Sequence, residues 1–320
     1  NTATRGARKE FPSVAVIVLK DGNNITIYDG DDPDMPMWMV FTGTSTAWAG
    51  PMLVLFSAAR PGTSVTALNG IVCLGTISSN DSESGLFAIS FLTDSATRYS
   101  SYHPHRRLQS IADRHVVLNH HAAEYEYTIV NGSVHDVAMT VLPNAPIDAD
   151  TGLPVPTIAV ATDGGISVIK DNGNVFDITY TNYSLSKQVE FLPSGGLVYT
   201  TDNSANQRWI HVDHNLLSSD LSKNDVGYKG LLDDEMYHLV NTSTYAGQDM
   251  KLRIDNSSSG FIVDNSGDVI LGSDDSSNGG LGFISRNPSS PSEGLTCEIT
   301  SSHNTGWMHG DIKLATLSDT

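Results

Sequence analysis

One pattern recurs along most of the chain: a short apolar run, a turn of glycine, asparagine or aspartate, a second apolar run, and then a polar connector. The first copy joins the run VAVIVL at residues 14–19 to the alternating ITIY at 25–28 through the turn DGNN. Short apolar runs on either side of such turn residues are typical of antiparallel β-hairpins. The chain is therefore expected to be all-β.

The same unit returns about every forty to sixty residues, which indicates a repeat architecture. Its further copies lie at 71–75 with 86–92, 157–161 with 166–169 and 175–178, 196–200 with 209–212, and 261–264 with 269–271 and 281–284. A radial array of small antiparallel sheets produces such spacing, because each sheet hides its faces by packing on its neighbours. We predict a β-propeller of about five to seven blades, with tandem β-sandwich domains as the alternative.

The propeller is expected to span residues 11–320, with residues 1–10 as an extended arm or linker. A possible internal break falls at 213–234, which is polar and comparatively poor in strand signals. Apolar residues of the inner strands should be buried between blades. They are Val14, Val16, Val18, Ile71, Cys73, Ile158, Val160, Leu197 and Ile262.

The charge balance disfavours a nucleic-acid partner. The chain carries 36 acidic and 18 basic side chains, for a formal net charge of −18. Binding a phosphate backbone takes clustered lysine and arginine, and the clusters here, at residues 5–9 and 106–107, are short. No run approaches the roughly 18 apolar residues that a membrane-spanning helix needs.

The two cysteines, Cys73 and Cys297, lie in apolar contexts and are interpreted as small buried residues, with no disulfide or metal role. Few cysteines in a chain of this size favour folding in a reducing cytoplasm. The chain starts with Asn1 and no signal-peptide pattern follows it. We therefore expect a segment of a longer protein, with processing as the alternative.

The candidate binding residues lie in long polar connectors that carry aromatic rings, imidazoles or guanidinium groups. Tyrosine, tryptophan and arginine combine apolar contact area with directional donors, and so dominate binding hot spots. Propeller ligands usually meet the loops at one face or the central channel. The candidates are Tyr99, Tyr102, His103, His105 and Arg106 in one loop, with Arg208 and Trp209 near another. The alternative is that the tyrosines close a blade edge and the histidines are only hydrated.

An acidic turn is a candidate calcium site, because calcium prefers six to eight oxygen ligands. Its carboxylates are Asp29, Asp31, Asp32 and Asp34, which do not follow the spacing of an EF-hand loop. Hydrated turn residues are the simpler interpretation. No other cofactor is expected, and the histidines follow no recognised zinc-binding spacing.

No catalytic residue is singled out by the sequence. It contains no GxSxG nucleophile elbow, no set of SxxK, SDN and KTG motifs and no Walker A pattern. The glycines at 164–165 and 195–196 are interpreted as hairpin turns. A glycosidase needs only two suitably spaced carboxylates, which the many acidic residues leave open. We expect a protein that is not an enzyme, with a glycan hydrolase as the alternative.

Four segments resemble bacteriophage and prophage virion proteins of the tail-fibre or appendage kind. They are residues 11–18, 25–40, 154–169 and 306–320, the last reading GWMHGDIKLATLSDT. In such proteins a phrase like the last stands just before a laminin-G or concanavalin-type lectin module, and a propeller-like region precedes it. The resemblance implies the propeller part of a longer fibre and transfers no binding residue.

The resemblance implies a virion structural module that recognises the host surface or spaces a receptor-binding tip. Its expected partners are other virion proteins and a bacterial surface glycan or protein, and it could form a homo-oligomer. The expected location is the virion, assembled in the host cytoplasm and exposed outside the cell. The alternatives are a capsule- or glycan-degrading hydrolase on the same scaffold and a secreted bacterial adhesin.

Overall fold

The computed structural model describes strands and turns over most of the chain. The described residues are 11–20, 24–42, 61–78, 84–93, 95–101, 105–108, 128–149, 152–180, 185–202, 208–213, 216, 218–223, 261–265, 267–273, 280–285 and 295–300. Helix is absent from these ranges, so they also hold no helix that could cross a membrane. The all-β prediction is confirmed. The predicted arm at residues 1–10 and most of the possible break at 213–234 lie outside the described residues.

The N-terminal half forms two sheets in which each strand pairs with the next one along the chain. Sheet 1 contains β1 (Ala15–Lys20), β2 (Asn24–Asp29) and β3 (Met37–Thr42). Sheet 2 contains β4 (Gly62–Leu68), β5 (Ile71–Thr76), β6 (Leu86–Ser90), β7 (Ser95–Tyr99) and β8 (His105–Leu108).

Three further sheets follow the same up-and-down order. Sheet 3 contains β9 (Val134–Thr140), β10 (Thr157–Thr162), β11 (Gly165–Ile169) and β12 (Val175–Tyr180). Sheet 4 contains β13 (Val189–Phe191), β14 (Leu197–Asp202) and β15 (Arg208–Asp213). The chain then returns to sheet 3, where β16 (Leu221–Lys223) pairs in parallel with β12. Sheet 5 contains β17 (Phe261–Val263), β18 (Val269–Ser273), β19 (Gly280–Ser285) and β20 (Leu295–Thr300).

The sheets contact one another through their first strands. β1 contacts β4, β4 contacts β9, β9 contacts β13, and β13 contacts β17. We call these five the inner strands. Each sheet is thus a small meander that begins beside the previous one, which is how the repeated hairpin units of the sequence are arranged in space.

Strands with two buried faces explain the fully apolar runs in the sequence. Because alternate side chains of a strand point to opposite faces, Val72 and Leu74 of β5 join the core between sheets 1 and 2. Cys73 lies between them in the chain and joins the core between sheets 2 and 3. In β10, Val160 packs toward sheet 2 and Ala161 toward sheet 4. Period-2 alternation is invisible in these strands because both faces are apolar.

Part of the predicted core is confirmed and part is wrong. Buried as predicted are Cys73, Ile158, Val160 and Leu197, and Ile71 is half-buried. Exposed against prediction are Val14, Val16, Val18 and Ile262, with 58, 39, 42 and 61% of their surface accessible. In β1 the opposite face, with Ala15, Ile17 and Leu19, packs against the core between sheets 1 and 2.

Candidate functional site at the inner strands

The candidate binding residues of sheet 2 separate into one packed ring and an outer strand. Tyr99 ends β7 and packs against the core between sheets 2 and 3. His105 and Arg106 lie in β8, the outermost strand of sheet 2. Tyr102 and His103 lie outside the described residues. Tyr99 therefore contributes to packing, and the binding role of this loop stays a prediction.

The second candidate pair lies in a different sheet. Arg208 and Trp209 begin β15, the outermost strand of sheet 4, where they pair with Asp202 and Thr201 of β14. The sequence placed this pair near a loop with a strand beginning at Trp209, and the structure places both residues in the strand. His105 and Arg106 thus lie on the outermost strand of sheet 2, and Arg208 and Trp209 lie on the outermost strand of sheet 4.

The acidic turn predicted as a calcium site uses its carboxylates to hold the start of β1. Asp31 accepts hydrogen bonds from the Ser13 amide at 2.9 Å, the Ser13 hydroxyl at 2.7 Å and the Val14 amide at 3.0 Å. Asp29 accepts from the Asp31 amide, and Asp32 accepts from the Asp34 amide. Within the described ranges, no group of three or more histidine, cysteine or acidic side chains could hold a metal ion. Calcium binding at this turn stays a prediction.

A richer polar group lies near the starts of β9 and β13, between sheets 2, 3 and 4. Its members are His135, Asp136, Asp163, Lys187 and Glu190, which we call the inner-end cluster. β9 supplies the first two, and the β10–β11 turn supplies Asp163. The chain entering β13 supplies Lys187, and β13 itself supplies Glu190. The cluster brings together residues that are far apart in the sequence.

Asp136 connects three sheets. Its Oδ1 accepts hydrogen bonds from the Ser64 hydroxyl of β4 at 2.7 Å and from the Val137 amide at 2.9 Å. Its Oδ2 accepts from the Val189 amide of β13 at 3.1 Å. Burial raises the pKa of Asp136, and these hydrogen bonds oppose that rise. The carboxylate acts as a cross-link between neighbouring inner strands.

The same kind of link continues toward sheet 5 and back toward sheet 2. The side chain of Gln188 donates to the Phe261 carbonyl of β17 at 2.8 Å and accepts from the Phe261 amide at 3.1 Å. The Thr63 hydroxyl of β4 donates to the Val134 carbonyl of β9 at 2.7 Å. Polar side chains on or beside the inner strands therefore satisfy backbone groups of the adjacent sheets, which holds β4, β9, β13 and β17 in fixed register.

His135 joins an acid and a base within the cluster. Its Nε2 lies 2.6 Å from Oδ1 of Asp163, while the Lys187 ammonium lies 3.1 Å from Nε2 and 3.3 Å from Nδ1. If Nε2 donates its proton to Asp163, Nδ1 is left as an acceptor for Lys187. The His135 side chain is 11% exposed and that of Asp163 is 41% exposed. The hydrogen bond from His135 lowers the pKa of Asp163, despite an opposing contribution from partial burial.

Glu190 is the second carboxyl group beside this junction. Burial raises its pKa to about 7, and the negative charge of Asp136 adds to the effect. Two neighbouring carboxyl groups with raised pKa values can hold a proton near neutral pH. The cluster thus offers fixed donors and acceptors together with one group that titrates close to neutrality.

The sequence offered a weak signal for this cluster. Asp163 lies in the turn between two apolar strands and was predicted as part of a hairpin, which is confirmed. His135 and Asp136 interrupt the apolar strand VHDVAMT, and Glu190 interrupts VEF. Charged residues inside otherwise apolar strands are expensive to bury unless they are paired, so they are candidates for specific contacts. Only the packing of sheets 2, 3 and 4 shows that their partners are one another.

Comparisons with known proteins add little beyond this geometry. No family model and no curated protein matches the chain. Among solved structures, the chain is similar to Hsv2 of Kluyveromyces lactis, at 10% identity and a TM-score of 0.35, over 93% of this chain and 84% of that one. It is also similar to the extracellular domain of BT4673 from B. thetaiotaomicron, at 14% identity and a TM-score of 0.34, over 88% of this chain and 36% of that one. Likenesses this distant carry no argument about function.

The raised pKa of Glu190 makes stability depend on pH. Its ordinary value is near 4.5 and its value in the folded chain is about 7. Between these values the folded chain holds a proton that the unfolded chain has released, so stability falls as pH rises through this window. We expect the free energy of unfolding to drop by about 1 to 2 kcal/mol from pH 5 to pH 8, less than the full pKa shift implies because the carboxyl group is partly exposed.

Urea unfolding of the wild type and of Glu190→Gln at several pH values measures this effect. The glutamine variant should lose most of the pH dependence and be the more stable protein at pH 8. Asp34→Asn, which removes an exposed carboxyl group, is the matched control and should keep the wild-type slope. The assignment to Glu190 is wrong if Glu190→Gln and wild type show the same slope.

Proposed function

We propose that this chain is a non-enzymatic module of a bacteriophage virion appendage, built as a β-propeller, that recognises the host surface or spaces a receptor-binding tip. The resemblance of four segments to tail-fibre and appendage proteins supports the virion role. The stacked meander sheets support the propeller, since each begins beside the previous one.

The observation that carries the proposal is the cross-linking of the inner strands by polar side chains. Asp136 and Gln188 satisfy backbone groups of adjacent sheets, so the sheets are held in fixed relation at this end of β9 and β13. A rigid base lets the loops and outer strands present side chains without a large loss of conformational entropy on binding. This is what a display module on a particle surface requires.

The binding surface in this proposal has two parts. Tyr99 belongs to the outer part through its packing against the core between sheets 2 and 3. The other residues of the outer part are those expected from the sequence: Tyr102, His103, His105, Arg106, Arg208 and Trp209. The inner part is the inner-end cluster, whose exposed Asp163 is held by His135. Both parts offer hydrogen-bonding groups suited to a bacterial surface glycan, with a surface protein as the other ligand class. The remaining partners would be other virion proteins.

Binding to an array of bacterial surface polysaccharides tests the proposal. We expect saturable binding of the purified chain to at least one polysaccharide, and we expect the triple variant Tyr102→Ala, His105→Ala, Arg106→Ala to bind about tenfold more weakly. The matched control replaces Asp171, Asn172 and Asn174 of the β11–β12 turn by alanine and should bind normally. Equal binding by both triple variants, at unchanged melting temperatures, would show that the outer residues are not the binding surface.

A second candidate function is glycan hydrolysis at the inner-end cluster. The specific observation is the pair of interacting carboxyl groups, Asp136 and Glu190, because the pKa of Glu190 is raised to about 7. A glycosidase acid must be protonated near neutral pH while a second carboxylate lies close by. Incubation with the polysaccharide that the array identifies, followed by an assay for new reducing ends, distinguishes a binding module from a glycan hydrolase. Turnover by wild type that Glu190→Gln abolishes would replace the binding module by a hydrolase.

A further inference from the structure

One strand of sheet 3 comes from beyond sheet 4. Among the strands that the structure describes, β16 is the one that pairs out of chain order and the one that pairs in parallel. It lies beside β12, at the outer edge of sheet 3, and follows the three strands of sheet 4 in the chain. The meander from β9 to β12 is complete without it. β16 is therefore an added strand, and the outer edge of sheet 3 is a place where an extended segment binds.

Few contacts hold β16 in place. Its pairing with β12 runs from Ile178 opposite Leu221 to Tyr180 opposite Lys223, which is three residue pairs. Parallel pairing is slightly less stable per residue than antiparallel pairing. Residues 218–222 are exposed, and Leu221 keeps 37% of its surface accessible. Because the strand buries little apolar surface, it can leave the edge at a small cost in free energy.

Asp220 marks the position at which the added strand binds. Its Oδ1 accepts a hydrogen bond from the Asp177 amide at 3.0 Å. The Asp177 carboxyl group accepts from the Ser167 hydroxyl at 2.6 Å. Burial raises the pKa of Asp177, the bond from Ser167 opposes the rise, and the charge of Asp220 adds to it. The two carboxyl groups repel each other when both are ionised, so the contact that selects this segment also weakens it.

A vacated outer edge would select the same kind of segment again. Without β16, the Asp177 amide loses its acceptor and β12 loses the strand beside it. An unpaired edge is a template for pairing with another chain. The segment that fits places a carboxylate at the Asp177 amide and an aliphatic residue opposite Ile178. Every copy of this chain carries that segment.

The chain that leads into β16 is long enough to reach a neighbouring copy. Leu216 packs against the core between sheets 3 and 4, which anchors the segment five residues before Leu221. Fully extended, this stretch spans about 17 Å. Residues 218–220 within it are exposed. The strand can therefore swing away from its own sheet while Leu216 stays packed.

We infer that two copies of the chain exchange β16, so that the strand of each copy pairs with β12 of the other at the outer edge of sheet 3. Exchange replaces each pairing by an identical one, so it costs little beyond the change in the connecting segment. A second copy competes with the chain's own strand by mass action, so dimers increase with concentration. This interface goes beyond the proposed function, since it joins copies of the chain and binds no glycan.

A mixture of two cysteine variants tests the exchange. One full-length protein carries Thr179→Cys in β12 and the other carries Ser222→Cys in β16, two positions that pair directly. Neighbouring strands lie about 4.8 Å apart, which is within the reach of a disulfide. Both proteins carry Cys297→Ser, and Cys73 remains because burial raises its thiol pKa to about 12 and keeps it unreactive. Under mild oxidation we expect disulfide-linked heterodimers whose share rises with protein concentration.

Two controls separate exchange from random collision. The first mixes Ser222→Cys with Asn144→Cys, an exposed residue of the β9–β10 connection. This mixture should give heterodimers at a yield about fivefold lower or less, because no pairing holds the two sulfur atoms at disulfide geometry. The second control carries Thr179→Cys and Ser222→Cys in one chain. At low concentration it should form an internal disulfide, which checks the register of β16.

Three results would overturn the exchange. Heterodimers no more abundant than in the Asn144→Cys mixture would show that copies collide without exchanging β16. An internal disulfide in the double variant, with no heterodimers at any concentration, would show that β16 stays in its own chain. A double variant that forms no disulfide at all would remove the pairing on which exchange depends. The polysaccharide array reports on function separately, because the same strand covers this edge before and after exchange.

Sedimentation of the wild type adds a test without cysteines. The share of dimer should rise with concentration, and Leu221→Pro combined with Ser222→Pro should abolish it. Alternate residues of a strand bond to its partner, so one of two consecutive prolines removes a bond to β12. A wild type that stays monomeric throughout would contradict the exchange. A double proline variant as dimeric as the wild type would assign the dimer to another surface.

Discussion

Replacing Gly165 by alanine is expected to lower the free energy of unfolding by about 3 kcal/mol or more, because the new methyl group would collide with the backbone. A Cβ at Gly165 would overlap the Ile178 carbonyl oxygen of the paired strand β12. The residue also has φ of +128°, a conformation that alanine rarely adopts. Relief requires β11 and β12 to separate, which would disturb two buried cores of sheet 3.

Urea unfolding with Gly152→Ala as the control isolates the collision. Gly152 has φ of +70°, but no atom lies within 4 Å of the position that a Cβ would occupy there, so its substitution should cost only about 1 kcal/mol from backbone strain. Similar losses for the two variants would mean that the carbonyl contact is relieved without separating the strands. Gly165 also follows the turn that carries Asp163, so its substitution should weaken the hydrogen bond between Asp163 and His135.

Replacing Asp136 by alanine is expected to cost about 2 to 4 kcal/mol, because buried donors lose their acceptor. The Val137 and Val189 amides and the Ser64 hydroxyl all donate to this carboxylate. Val137 and Val189 are buried, so water cannot readily take the place of the lost carboxylate as acceptor for their amides. The loss should be measured by urea unfolding at pH 8, where the carboxyl group of Glu190 is mostly ionised.

Two comparisons show whether the loss comes from the cross-link. Asp136→Asn keeps an oxygen acceptor for Ser64 and Val137 and should cost less than alanine, while the exposed Asp34→Ala should change stability little. Loss of the Asp136 charge should also lower the pKa of Glu190, moving its pH-dependent window of stability to lower pH. An Asp136→Ala protein as stable as Asp34→Ala would contradict the role of Asp136 in joining sheets 2, 3 and 4.

A shared arrangement in sheets 2 and 3 shows how a degenerate repeat can be structurally regular. Thr76 ends β5 and its hydroxyl donates to the Gly85 carbonyl, while Thr162 ends β10 and its hydroxyl donates to the Gly165 carbonyl. In both sheets the glycine faces a carbonyl of the fourth strand. The connectors between threonine and glycine differ in length, so the repeat cannot be aligned by spacing alone. Hydrogen bonding in the folded sheets makes the two positions equivalent.

The candidate site was accessible to sequence reasoning only in part. The rule that tyrosine, tryptophan and arginine mark binding surfaces selected residues 99–106 and 208–209, and the structure puts Tyr99 in a core and Arg208 in a strand. The inner-end cluster contains none of those three residue types. Its members were ordinary charged residues until the packing of sheets 2, 3 and 4 placed them side by side. Their pKa values depend on that burial, which a linear pattern does not contain.

The sequence by itself determined the hairpins. The runs at 14–19 with 25–28, at 71–75 with 86–92, and at 157–161 with 166–169 and 175–178 all form the predicted strands. Local turn chemistry and apolar content are sufficient for this, because a hairpin is closed by residues adjacent in the chain. Turn chemistry and apolar content also determined the all-β class of the described residues.

Only the tertiary structure decided which faces are buried and which charges meet. Every residue of the run 14–19 is apolar, so alternation could not tell that Ala15, Ile17 and Leu19 pack toward sheet 2 while Val14, Val16 and Val18 do not. The choice depends on which side the next sheet occupies, and that is set by contacts between residues distant in the chain. The same long-range packing brings Asp136 to Val189 and Ser64, and so decides where the buried charge is satisfied.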